Sequence, residues 1–183
     1  MAGPAGAAAA TGAAGANDVV RVAPLRDLGT HVPPPRIVNG TGKSGDAKWH
    51  QITVQYDSFP RWIDELVFRY SVLLSSVSRE GKREFMVLHG DVTYIDVEEG
   101  HRHTATAFVR PTALLRYGEV AGVAVEILLK GETLTGVLQE EQRLQRPVEW
   151  WKSKDLPTRD GYIVPRSQTP FALVPNDDEE TNR

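Results

Sequence analysis

The chain of 183 residues contains no cysteine. That excludes disulfide cross-links, thiol nucleophiles and cysteine-ligated zinc together. It also lacks an excess of charge of either sign: the formal net charge is −3 and the pI is near 6. A nucleic-acid binder would carry a basic face or stripe, and none is legible. No apolar run reaches the 18 or more residues of a membrane-spanning helix. The opening "MAGPAGAAAATGAAGA" has neither the basic start nor the leucine-rich centre of an export signal. The absence of cysteine does not fix the compartment.

Residues 1–47 also have little that could form a core. The first 17 are almost entirely Ala, Gly, Pro and Thr, and Gly and Pro interrupt every helical run that Ala would favour. Residues 18–47 read as loop, with "VPPPR" as a short polyproline segment and "NGTGKSG" too polar to pack. The expected organisation is a flexible N-terminal tail over 1–47 and a β-sandwich domain over 48–175. Within the latter, an extension starts near 141. An acidic tail over 176–183 follows.

The pattern changes at Lys48. In "KWHQITVQYD", Trp49, Gln51, Thr53 and Gln55 alternate with His50, Ile52, Val54 and Tyr56, the period of a strand. The densest apolar stretch, "SFPRWIDELVFRYSVLL", is open to two readings. As a helix it gathers Trp62, Ile63, Leu66, Val67, Tyr70, Leu73 and Leu74 but turns Phe68 and Val72 to water. As a strand it lines up Leu66, Phe68, Tyr70, Val72 and Leu74 against Arg69, Ser71 and Ser75. Its β-branched and aromatic content favours the strand, read from about Glu65 to Val77. The expected core adds Trp49 or Ile52, Val125 and Ile127.

Further strands are read in "REFMVLHG", in "DVTYIDVEEG" with the EEG as a turn, and in "HRHTATAFVR". In "PTALLRYG", Pro111 suits a first helical position and Gly118 a left-handed cap, so one or two helical turns are expected. "AGVAVEILLKGETLTGVLQ" reads as two strands around a turn at Lys130–Glu132. "VEWW", "GYIV" and "FALV" read as short extended pieces. The sum is an all-β, immunoglobulin-like antiparallel β-sandwich of about seven main strands, with one short helical turn and extended tails.

Most chemical motifs fail on spacing. "GTGKS" has Ile37 where a phosphate-binding loop needs Gly. "RIVNG" (36–40) matches the activation site of trypsin-like proteases, yet no Gly-Asp-Ser-Gly follows. Asn39-Gly-Thr41 is a formal glycosylation acceptor. His101 and His103, two apart, would share a face of a regular strand, with His89, Asp91, Asp96 or Glu98 as third ligands of a metal. The alternative is two surface histidines loosely paired with neighbouring acids, and that is the reading taken. Trp150 and Trp151 would face opposite sides of a strand, one in the core and one free to stack on a sugar. No catalytic, cofactor-binding or metal-binding residue is therefore assigned.

The run from "WHQITVQYDSFPRWIDELVFRYSVLL" through "GDVTYIDVEEGHRH" to "RPTALLRYGEVAGVAVEILLKGE", residues 48–140, resembles a group of Verrucomicrobia proteins. These accompany type IV pilus-related genes in mucin-dwelling bacteria and are described as immunoglobulin-like sandwiches. The resemblance implies an extracytoplasmic, periplasmic or outer-membrane-associated protein. It further implies a non-enzymatic role among envelope or pilus-related proteins, without cofactor or nucleic acid, and it carries over no functional residue. The alternatives are a carbohydrate-binding module using Trp150 or Trp151 and a metal-dependent enzyme using His101 and His103.

Overall fold

In the computed structural model, residues 19–35, 47–142, 144 and 149–173 are described. The expectations for residues 1–18, 36–46 and 174–183, including "GTGKS", "RIVNG", Asn39 and the acidic tail, lie outside them.

The strand reading of the apolar stretch holds. Leu66, Phe68, Tyr70, Val72 and Leu74 are all fully buried. What the pattern did not show is continuity. Two expected strands are one, β3 (Trp49–Val77), and three expected strands are also one, β4 (Arg83–Val109). The EEG at 98–100 is therefore part of β4 rather than a turn between strands.

Strands of 29 and 27 residues are too long for a domain of this size unless they fold back. Tyr56 and Phe68 would stand roughly 40 Å apart on a straight strand, yet their ring centroids are 5.0 Å apart. On β4, the Thr106 amide donates to the Tyr94 hydroxyl at 2.9 Å. The corner is visible in the backbone: the β3–β4 register slips between Tyr56 and Ser58 and between Ser58 and Trp62. Asp96 and Arg102 adopt positive φ of 52° and 61°. Pro60 and Gly100 thus mark where strands bend, not where they end. Past the corner Trp62 is left half exposed.

Bending creates two layers from one sheet. The first layer holds the start of β3, the end of β4, and the short strands β1 (Val20–Val22), β2 (Thr30–Val32) and β8 (Ile163–Pro165). The second holds the end of β3, the start of β4, β5 (Glu119–Leu129), β6 (Glu132–Glu140) and β7 (Thr158–Asp160). Ile52, Val54, Ala105 and Ala107 of the first face Phe68, Tyr70, Val123 and Val125 of the second in one core. The molecule is an all-β sandwich. Its sheet is mixed rather than purely antiparallel, because β7 runs parallel to β4.

The segments flanking this core depart most from expectation. Residues 20–22 and 30–32, read as loop, are strands on the edge of β3, and Val20 is fully buried. The helix α1 (Pro111–Tyr117) forms with Pro111 at its start. Gly118 closes it with φ 106° and ψ −160°, outside the left-handed helical region, while its amide donates to the Leu114 carbonyl. The β5–β6 turn sits at Lys130–Gly131, both at positive φ, as a tight hairpin requires. "GYIV" supplies β8. Trp150–Lys152 and Pro170–Leu173, which overlap the "VEWW" and "FALV" segments read as extended, form 3-10 turns instead. They pack over the outer faces: Trp150 with Leu73, Val87 and Ala124, and Phe171 with Trp49, Phe108 and Val164.

Candidate functional site: a roofed polar groove on the first layer

The histidine pair expected to share a face does not. Arg102, between the two, has φ 61°, which breaks the alternation of the strand. His101 is largely exposed and its Nδ1 lies 3.4 Å from Asp57. His103 lies across the Tyr56 ring at 5.2 Å, with Nε2 buried and without a partner among the described residues. Tyr56 is buried and Asp57 is its neighbour in β3, so the two histidines follow opposite faces. Asp57 also accepts a hydrogen bond from the Arg102 amide at 2.8 Å. That bond, helped by His101, holds its carboxylate below the usual range.

The remaining expected ligands scatter. His89 is on the outer face of the second layer, its Nδ1 3.0 Å from Ser71 Oγ. Burial holds its pKa below the usual range. Ser71 is only 2% exposed, which leaves no room for a substrate at its hydroxyl. Asp91 is held by Arg69 through two bonds of 3.1 and 3.0 Å. Asp96 and Glu98 lie exposed at the corner. Among the described residues no group of three or more His, Asp or Glu is placed to hold a metal ion.

Trp150 cannot serve as a sugar platform. It is fully buried and donates from Nε1 to Glu140 at 2.6 Å. Trp151 is half buried, edge-on to Trp150, with the Lys152 ammonium 5.9 Å from its ring centroid.

The structure instead gathers polar groups on the outer face of the first layer. Gln51, Thr53 and Gln55 alternate on β3, and Thr104 and Thr106 on β4. Gln51 Nε2 and Thr106 Oγ1 each lie 3.3 Å from Thr53 Oγ1. An open groove of about 540 Å³ runs between this row and residues 23–30 of the segment linking β1 to β2. A second, of about 330 Å³, continues from Thr53 and Thr104 toward Pro165–Ser167. Their size suits a small ligand.

One histidine pins the roof. His50, 4% exposed, contacts the Leu28 carbonyl through Nε2 at 2.7 Å, so this nitrogen carries the proton and donates. Nδ1 is then bare and has no partner among the described residues. Burial lowers the His50 pKa, against the pull of the Leu28 carbonyl. His31 stands edge-on to it at 4.9 Å and reaches Glu119 at 3.9 Å. Gly29 next to Leu28 has φ 104°, and a Cβ there would lie 2.5 Å from the Gln51 carbonyl oxygen and 2.6 Å from His50 Nε2. Only glycine fits this approach. The alternation of Gln and Thr was legible in sequence; the loop that makes a groove of it was not.

Fold and groove define an all-β sandwich with a loop-roofed polar face. A family model matches residues 25–183, and the chain belongs to that family. The fold is similar to a crystal structure from Akkermansia muciniphila, a Verrucomicrobium, with a TM-score of 0.66 and 18% identity. The match covers 87% of this chain and 89% of that one. At that identity the likeness is one of fold. No curated protein matches the chain.

Proposed function

We propose that the protein is a non-catalytic interaction module of a bacterial cell-envelope assembly, with pilus-related proteins as its partners. The observation that carries this reading is the edge of β6. Eight of its nine residues, all but Leu134, pair with β5 on one side, and from Glu132 to Gln139 no strand among the described residues pairs with the other side, although β1 packs near β6. A free strand edge is a template for a strand from a partner, with main-chain hydrogen bonds giving affinity. β6 has charged residues only at its ends, Glu132 and Glu140, so little on it opposes such pairing. The immunoglobulin-like character and the periplasmic or outer-membrane location belong to the same proposal and rest on the resemblance of residues 48–140. No helix among the described residues is long and apolar enough to cross a membrane.

A photo-crosslinking residue at Thr133 or Thr135 in the native cell tests the reading. The expected result is an adduct with an envelope protein from these positions and none from Glu80, an exposed position in the β3–β4 turn. No adduct from β6, or equal adducts from Glu80, contradicts it.

A further inference from the structure

The end of the sandwich that carries α1 holds three arginines without acids. Arg110 precedes the helix, Arg116 lies in its last turn, and Arg159 lies on β7. The fold draws them together. The Arg110 amide donates to the Tyr162 carbonyl at 2.9 Å, and its Nε donates to the Gly161 carbonyl at 3.3 Å. Tyr162 stands edge-on to Tyr117 at 5.7 Å, and the Arg116 guanidinium lies 5.4 Å from the Tyr117 ring centroid. The Tyr162 hydroxyl first, and then the Arg159 and Arg116 guanidiniums, hold the Tyr117 phenol below its usual range, and no carboxylate enters that balance.

The acids next to these residues are turned elsewhere. Glu119 reaches His31 at 3.9 Å, and Asp160 acts on His89. No carboxylate among the described residues lies within ion-pair distance of Arg110, Arg116 or Arg159. The chain as a whole has a net charge of −3, so this face is not one part of a general basicity. Guanidinium forks beside phenolic O–H groups are the complement of carboxylates.

The same chain holds the matching charge within reach. Asp177, Asp178, Glu179 and Glu180 are its densest run of acids. The described residues stop at Leu173, in a 3-10 turn that is fastened down. Its Phe171 ring stacks on Phe108 at 5.1 Å, and its Phe171 carbonyl accepts from Arg166 Nε at 3.1 Å. Phe108 stands two residues before Arg110, about 7 Å along the chain. From Leu173 to Asp177 the chain spans up to about 13 Å. Exposed ion pairs are weak singly, but a short tether holds the acids at a high effective concentration.

We propose that this arginine face binds the acidic segment Asp177–Glu180 of the same chain, its carboxylates meeting Arg110, Arg116 and Arg159. The contact is independent of the β6 edge. An acidic partner reaches the face only by displacing the segment.

A nitroxide on Asn182→Cys of the full, otherwise cysteine-free chain tests it. The amides of Arg116 and Arg159 should lose most of their intensity, and that of Arg69, which is paired with Asp91, should keep it. Asp177→Asn, Asp178→Asn, Glu179→Gln and Glu180→Gln together leave the tether length unchanged and should restore both signals. So should about 1 M salt, where charges are screened over roughly 3 Å. The neutral segment should also let Tyr117 titrate at lower pH, because carboxylates near a phenol oppose its ionisation. Arg116→Glu with Arg159→Glu should release the label in the same way. If that variant does not fold, the neutral segment, which changes no described residue, serves alone. Equal broadening with charged and neutral segments overturns the proposal, since the tether alone then explains it. No broadening at Arg116 and Arg159, or a Tyr117 titration that neutralisation leaves unmoved, overturns it too.

Discussion

The two layers share both long strands, yet they are held together differently. In the second layer, β3 is paired on both edges from Val67 to Ser75, by β4 and by β5. Leu66, Phe68, Tyr70, Val72 and Leu74 fill its inner face, and the outer face receives Trp150. In the first layer, the free edge of β3 is covered by two strands of three residues each, with a gap between them. Its outer face is a row of Gln and Thr. One strand thus supplies a closed apolar half and an open polar half. The apolar half carries the stability, and the half with unpaired backbone carries the groove.

The contrast is broken most severely in the second layer. Phe68 is fully buried and touches the Tyr56 and Tyr94 rings, so Phe68→Ala should cost about 3–5 kcal/mol. Denaturant unfolding reads this as a lower midpoint at unchanged slope, and a loss under about 1 kcal/mol would contradict the packing. Trp150→Ala should fall in the same range. It tests whether the C-terminal turn is part of the fold or an ornament on it.

Equivalent changes in the first layer should cost less. Val20→Ala removes two buried methyl groups and leaves a small cavity, about 2 kcal/mol in all. A loss near zero would return residues 19–32 to a tail. Gly29→Ala puts a Cβ against the Gln51 carbonyl at positive φ, at a cost of about 1–3 kcal/mol. It should also loosen the roof, raising amide exchange at Leu28 and Thr30 more than at Val125.

The pH response should sharpen the comparison with a smaller effect. Burial lowers the pKa of both His50 and His89. A lowered histidine pKa means the unfolded state takes up its proton first. The stability from the neutral ring is complete above the unfolded value of about 6.5 and declines as pH falls toward the folded value. His50 faces Leu28, His31, Glu119 and Asp27, and His89 faces Asp160, Arg69, Asp91 and Glu126. His50→Gln should flatten the loss of stability between pH 7 and 5, and acid should speed exchange of the roof residues first. If only His89→Gln flattens it, the pin is misplaced. The smallest effect concerns metal: a chelator should leave the melting temperature unchanged.

Most of the second layer was legible in sequence because its signal is local. The alternation from Leu66 to Leu74 and the Lys130–Gly131 turn depend on neighbours along the chain. What escaped depends on neighbours in space. "SFP" and "EEG" look like strand ends, since Pro and Gly serve both to stop a strand and to bend one. β1 and β2, three residues each, are too short to show a period. Trp150 and Phe171 look extended in isolation but are drawn into 3-10 turns by the apolar surfaces under them. The His101–His103 geometry hung on the φ of Arg102, which no spacing reports. The groove was half visible: its Gln and Thr residues alternate in the sequence, but the gap along the β3 edge arises from a pairing offset between β1 and β2.

All of this rests on β3 folding back at its corner, and the cysteine-free chain makes that directly measurable. Spin labels on a Thr53→Cys, Arg69→Cys variant sit on the outer faces of opposite layers, at two exposed positions of one strand. With layers packed about 10 Å apart and two label tethers added, electron–electron double resonance should give a distance of about 20–30 Å. A straight strand separates the two positions by roughly 53 Å. A distribution centred at 45 Å or beyond would contradict the two-layer account, and the groove with it.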